Sequence, residues 1–149
     1  MKVDLKHFKD LELWRSNTAT AFKIDNKPTR KELNKLRFTA SKTIELVREI
    51  VGCAVVVTSG KRCKELNRKI GGSSTSSHVR CEAFDFMVPG FSPSMLKSLF
   101  KQLSTSLEYD QLIFEHHNGA YWIHISWKEE DNRQQALTYE GGRYENFEN

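Results

Sequence analysis

No run of apolar residues in this chain approaches membrane-spanning length, so no span is expected. Cysteine is also short. Cys53, Cys63 and Cys81 are an odd number at no framework spacing, which argues against a disulfide scaffold and for free thiols in a reducing compartment. The net charge of +4 invites an anionic partner, but Lys and Arg are scattered among Asp and Glu and no basic tract is interleaved with aromatics, so nucleic acid is set aside as a partner. The start, Met1-Lys2-Val3-Asp4-Leu5-Lys6-His7, has no apolar core of a secretory signal, so the protein is expected to be cytoplasmic as synthesised. Internal repeats are absent, and low complexity is confined to a short serine run near residue 75. What remains is 149 residues, one domain's worth, with enough apolar content for a core of its own.

Residues 1–28 read as an N-terminal arm, an irregular loop with one helical turn, pinned by Leu11, Leu13, Trp14 and Phe22. Thr29 followed by Glu32 forms a capping box, and Leu33, Leu36, Ala40, Ile44, Val47 and Val51 then recur as the buried stripe of one helix that Gly52 stops. Ala54 to Thr58 is a β-branched strand, Arg62 to Ile70 a short helix closed by Gly71-Gly72, and the serine loop delivers His78. From Glu82 to Val88 the residues alternate, with Phe84, Phe86 and Val88 assigned to the core. Ser92 and Pro93 open a further helix. Tyr109–Glu115 and Tyr121–Trp127 form a hairpin about Asn118-Gly119, and the polar C-terminal tail, 128–149, has room for one more small hairpin before a frayed end. The fold class expected is single-domain α+β, a small mainly antiparallel sheet flanked by helices.

His78, Asp85 and His124 are two imidazoles and a carboxylate, the donor set with which a catalytic zinc keeps a position open for water. With Asn118-Gly119 at the turn, Glu115 opposes Trp122, Ile113 opposes His124 and Gln111 opposes Ser126. Glu115 and Gln111 then share a face with His124, and Glu115 lies roughly 6 to 8 Å from it across the diagonal. A carboxylate there is placed to act as general base on an activated water. Blander readings stand beside this one. In them the His in a serine loop, the Asp on a strand and the distant His belong to unrelated surroundings, Glu115 to an exposed hairpin, and His116-His117 to a loop or an alternative ligand pair. Cys81 is a further thiolate candidate, although buried free cysteine is commoner. A non-haem iron oxygenase uses the same ligand types, but with His and carboxylate closer than the seven positions between His78 and Asp85.

The pattern Ser76-x-His78-x-x-x-x-Ala83-x-Asp85, followed by Trp122-Ile123-His124-Ile125-Ser126, resembles the zinc D-alanyl-D-alanine carboxypeptidases and related phage peptidoglycan peptidases. Val57-Thr58-Ser59-Gly60-x-Arg62-x-x-x-Leu66-Asn67 with Gly71-Gly72, the arm segments Ser16-x-x-Ala19 and Ile24-Asp25-Asn26-x-Pro28, and Tyr109-Asp110-Gln111-Leu112-Ile113 extend it over nearly the whole chain. The resemblance implies Zn2+ held by His78, Asp85 and His124. It also implies that Arg62 clamps a substrate carboxylate, a task that suits its planar fork of donors. Ser76, Gln111 and Trp122 are further candidate substrate contacts, and Glu115 the candidate catalytic base. Two positions depart from the family pattern: Cys81 stands where a glycine is usual, and Tyr121 where several relatives carry an acidic base.

The function this implies is zinc-dependent hydrolysis of an amide bond in peptidoglycan stem peptides, by a monomer. A phage lysis enzyme acting on a host cell wall and a cytoplasmic precursor-trimming enzyme both fit. The alternative is a catalytically inactive, zinc-containing domain that binds cell-wall peptides or serves as a virion structural protein.

Overall fold

The computed structural model describes residues 3–148. Its centre is a six-stranded sheet in the order β1-β2-β4-β3-β5-β6. The strands are β1 (Val56–Ser59), β2 (Ala83–Met87), β3 (Gln111–His117), β4 (Ala120–Ser126), β5 (Gln135–Glu140) and β6 (Arg143–Asn146). All neighbours are antiparallel except β3 and β5, which run parallel. The helices are α1 (Asn17–Ala21), α2 (Arg30–Lys42), α3 (Ile44–Val51), α4 (Lys64–Ile70) and α5 (Pro93–Ser106), with a 3-10 turn at Asp10–Leu13. This is the α+β architecture expected.

Alternation across the strands divides the sheet into two faces. On one, Phe84, Phe86, Leu112, Phe114, Ile123 and Ile125 meet the apolar stripes of α2, α3 and α5 in a single core. The other face carries the polar residues of the site. The hairpin register places Glu115 opposite Trp122 and Ile113 opposite His124, as the Asn118-Gly119 turn demands. Asn118 and Gly119 both take positive φ, the conformation of a tight hairpin turn.

Several local expectations need correction. The single helix read from Leu33 to Val51 is two, because Thr43 leaves helical geometry at φ −129° and ψ −94°. The buried Thr43 hydroxyl donates to the Thr39 carbonyl at 2.8 Å, a side-chain bond that competes with the helical ladder. The apolar stripe continues through the break, with Leu36, Ala40, Ile44 and Val47 all sealed from solvent. The helix read from Arg62 begins two residues later, with Cys63 as its N-cap, its sulfur accepting from the Leu66 N–H at 3.4 Å. The N-terminal arm is more ordered than a loop with one turn. Buried Asn26 donates to the Trp14 and Lys61 carbonyls at 2.6 and 3.0 Å, and buried Lys61 returns a bond to the Asn26 carbonyl at 2.9 Å. In the tail, β5 and β6 form the last hairpin and Phe147 packs on the core, while Asn149 at the expected frayed end lies outside the described residues. Among the described residues no helix is long and apolar enough to cross a membrane.

Candidate active site

Two rows of paired residues cross the polar face of the sheet. Ser59, Asp85, His124, Ile113, Leu137 and Asn146 are successive partners in one row. Trp122, Glu115, Tyr139 and Tyr144 make the second, one step along the strands. Paired residues project to the same side, so Asp85, His124 and Glu115 look into the same space. That space is a cleft of about 540 Å3.

His78 enters from the serine loop. Its backbone N–H donates to the Ser76 hydroxyl at 3.2 Å, and its Nδ1–H donates to the Gly60 carbonyl at 2.9 Å. A carbonyl only accepts, so the proton is fixed on Nδ1 and the Nε2 lone pair is turned inward. Nε2 lies 3.2 Å from Asp85 Oδ1, and Nδ1 of His124 lies 2.9 Å from the same oxygen. The three residues are buried, and their ligand atoms lie within 4.8 Å of one another. Two imidazole nitrogens and one carboxylate oxygen, with a backbone carbonyl orienting one ring, fit a divalent zinc ion with a position to spare.

The electrostatics agree with ligation. Burial opposes charge on Asp85, but attraction to His78 and the hydrogen bonds of both imidazoles outweigh it, and the carboxyl sits well below its ordinary range. Burial pulls His78 down and favours the neutral ring, the form that binds metal. Glu115 goes the other way: burial, and then the charge of Asp85, push it up to about 7. The Trp122 indole N–H is a buried donor with no hydrogen-bond partner of acceptable geometry among the described residues, yet it lies close enough to Glu115 to favour the carboxylate slightly.

Arg62 is no surface helix residue. It precedes α4 and turns inward, Nε donating to Ser59 Oγ at 3.0 Å and Nη1 to Asn67 Oδ1 at 3.3 Å, with Nη2 3.6 Å from Asp85 Oδ2. Ser76, Gln111 and Trp122 also line the cleft. Gln111 is tied by its side-chain amide to Gln135 at 2.8 Å.

Other candidates fall away from the cleft. His116 stacks on Tyr121 with ring centroids 4.0 Å apart and bonds Glu140 at 3.1 Å. Tyr121 is thereby held on the face opposite Glu115, so its position supplies no base to the site. Cys81 is buried in the core cluster, and burial pushes its thiol up to about 11, far from a metal-binding thiolate. Its backbone takes φ 60°, the left-handed conformation that a glycine accepts without strain. The turn at this place therefore keeps glycine geometry although the residue is cysteine. It is held by the Cys81 N–H to the His78 carbonyl at 3.3 Å and by the Thr39 hydroxyl to the Cys81 carbonyl at 2.9 Å.

A family model described as Peptidase M15 matches residues 6–126. The chain belongs to the Peptidase M15 family. No curated protein is matched by the chain. M15 peptidases are generally zinc-dependent metallopeptidases, which accords with the His78–Asp85–His124 cluster. The M15 match ends at Ser126, before β5 and β6. The sequence signals did not single out the Gly60 carbonyl, the Ser59 and Asn67 supports of Arg62, or the contributions of Arg80, Arg133 and Tyr144 to the cleft of this M15 chain. Only the Ser59-Gly60-x-Arg62 and Asn67 matches pointed near them.

Proposed function

We propose that this chain is a zinc peptidase that hydrolyses an amide bond in peptidoglycan stem peptides, with Glu115 as general base. The observation that carries the reading is the half-buried Glu115 carboxyl on the same sheet face as a buried His-Asp-His cluster. His78, Asp85 and His124 would hold the zinc, which when bound would supply Lewis-acid polarisation of a substrate carbonyl and of water. Glu115 takes a proton from the attacking water and returns it to the leaving amine, a role open to a carboxylate on the face of the cluster. Arg62, fixed by Ser59 and Asn67, offers a rigid guanidinium to a substrate carboxylate. Ser76, Gln111 and Trp122 line the walls against which the peptide lies.

The test is metal analysis of the purified protein together with mass spectrometry of a muropeptide panel. Product that depends on zinc and disappears with Glu115→Ala supports the reading. Binding of stem peptides by zinc-loaded protein without product would replace it with the binding-domain alternative. Arg62→Ala should weaken recognition of peptides ending in a free carboxylate by about 1.5 to 3 kcal/mol, the size of a lost charged hydrogen bond. An equal loss with amidated peptides would reject the clamp.

A further inference from the structure

The cleft extends past the family match. That match ends at Ser126, yet Tyr144 of β6 lines the same cleft as Glu115, Trp122 and the His78–Asp85–His124 cluster. Strand register puts it there. Trp122 pairs with Glu115, Glu115 with Tyr139 and Tyr139 with Tyr144, so the four residues form one row on the face that carries the site. The Tyr144 ring packs on Tyr139 with centroids 4.6 Å apart and the planes inclined by 50°. Asp85 stands on β2, four places from β6 in the sheet order, and borders the cleft that Tyr144 borders. The cleft thus runs across the sheet from the cluster to Tyr144.

The fold itself does not use the Tyr144 hydroxyl. It makes no hydrogen bond with a described residue, and Tyr144 is 60% exposed. The indole N–H of Trp122, at the other end of the row, is buried. Burial pushes the Tyr144 phenol up, and the charges of Glu115, Tyr139 and Asp85 add to that, so the hydroxyl keeps its proton and stays a hydrogen-bond donor. The same carboxylates make this an unfavourable place for an anion. A neutral carbonyl oxygen is the acceptor that fits. In sheet order, Arg62 follows β1, Asp85 and His124 lie on β2 and β4, Glu115 lies on β3 and Tyr144 on β6. Arg62 and Tyr144 therefore flank the cluster from opposite sides.

We propose that the Tyr144 hydroxyl donates a hydrogen bond to a backbone carbonyl of the substrate on the acyl side of the scissile bond. The proposal rests on the peptidase reading, since that reading puts the scissile amide at the cluster and the leaving end at Arg62, which turns the acyl end toward Tyr144. The ring, packed on Tyr139, offers an apolar body to the peptide and a polar tip to its carbonyl. Tyr144 is then a specificity-determining residue for the acyl half of the peptide, supplied by the part of the chain beyond the family match.

The experiment is calorimetric titration of metal-loaded protein with two stem-peptide fragments, one covering the acyl side alone and one the leaving side alone. Tyr144→Phe keeps the ring and removes the donor. It should weaken the acyl-side fragment about three- to tenfold, the scale of one hydrogen bond, and keep the leaving-side fragment within twofold of wild type. Tyr144→Ala should weaken the acyl-side fragment at least as much. Thermal unfolding of Tyr144→Phe should match wild type, and a lower Tm would show the hydroxyl already engaged in the fold and overturn the contact. Unchanged affinity of Tyr144→Phe for the acyl-side fragment, an equal loss with both fragments, or no binding of the acyl-side fragment by wild type also overturns it. Selective loss without hydrolysis of an intact stem peptide would remove the peptidase reading and keep the contact. Hydrolysis with no selective loss would do the reverse.

Discussion

The Gly60 carbonyl receives the Nδ1–H of His78 at 2.9 Å, so a residue that contributes no side chain sets the direction of an imidazole of the candidate metal cluster. A Cβ at Gly60 would meet the Leu13 carbonyl oxygen at 2.0 Å, and neither backbone yields cheaply. Gly60→Ala should therefore lower stability and turn His78 out of register together. Zinc affinity, read by competition with a chromophoric chelator, should drop about 10- to 100-fold, the usual cost of losing an orienting partner. Wild-type affinity in this variant would show that Gly60 does not orient the ring.

Glu115 provides a prediction with a defined sign. Its carboxyl is raised from 4.5 to about 7, so the fold favours the protonated form, and stability falls as pH rises through that window. In metal-free protein, Glu115→Gln should be more stable than wild type at pH 8 by roughly 1 to 3 kcal/mol, and the two should converge near pH 4. The same variant should lose about 10²- to 10⁴-fold in turnover when zinc-loaded, since an amide accepts no proton. Thermal unfolding at the two pH values and a turnover assay check both halves. Wild-type activity would remove Glu115 as the base.

The Asp110–Arg133 pair has the opposite pH sign. Hydrogen bonding from Arg133 holds Asp110 at about 2, below the usual carboxylate range. Its contribution is therefore full above about pH 4 and lost as pH falls toward 2. Its ion-pair partners Arg133 and Lys128 are both partly exposed, so about 1 to 2 kcal/mol is the expected cost of Asp110→Asn at pH 7. Urea unfolding of the metal-free protein should show that difference in full at pH 7 and only a small part of it at pH 2. An undiminished difference at pH 2 would point to packing instead.

The three cysteines should separate cleanly by reactivity. Cys53 is exposed, Cys63 is half-buried as a helix cap, and Cys81 is buried with its thiol pushed up to about 11. Alkylation at pH 8 followed by peptide mapping should label Cys53 first and leave Cys81 unmodified until the protein unfolds. Early labelling of Cys81 would contradict its place in the core.

Much of this site is legible in one dimension because a strand has a period of two and a hairpin turn sets a register. Asn118-Gly119 alone is enough to bring Glu115, Trp122 and His124 to one face. The Thr29–Glu32 capping box, the Ser92-Pro93 helix start and the Gly52 stop are equally local, and each forms as read. What escaped detection depends on long-range contacts. The bend at Thr43 arises where buried Thr39 and Thr43 hydroxyls find carbonyl partners, one of them on Cys81. The parallel pairing of β5 with β3 joins segments with no shared turn, so nothing in the local pattern places Arg133 or Tyr144 near the cleft. The Gly60 carbonyl is a backbone atom and leaves no side-chain signature.

That parallel pairing has a further consequence. β5 covers the outer edge of β3, and the β6 beyond it is short, fully exposed and charged, carrying Arg143 and Glu145. A chain cut at the end of the family match would leave β3 with a bare row of amide and carbonyl groups along a strand rich in Leu112, Ile113 and Phe114. Such an edge is a template for pairing with another copy. The last hairpin thus guards the sheet against self-association as well as walling the cleft.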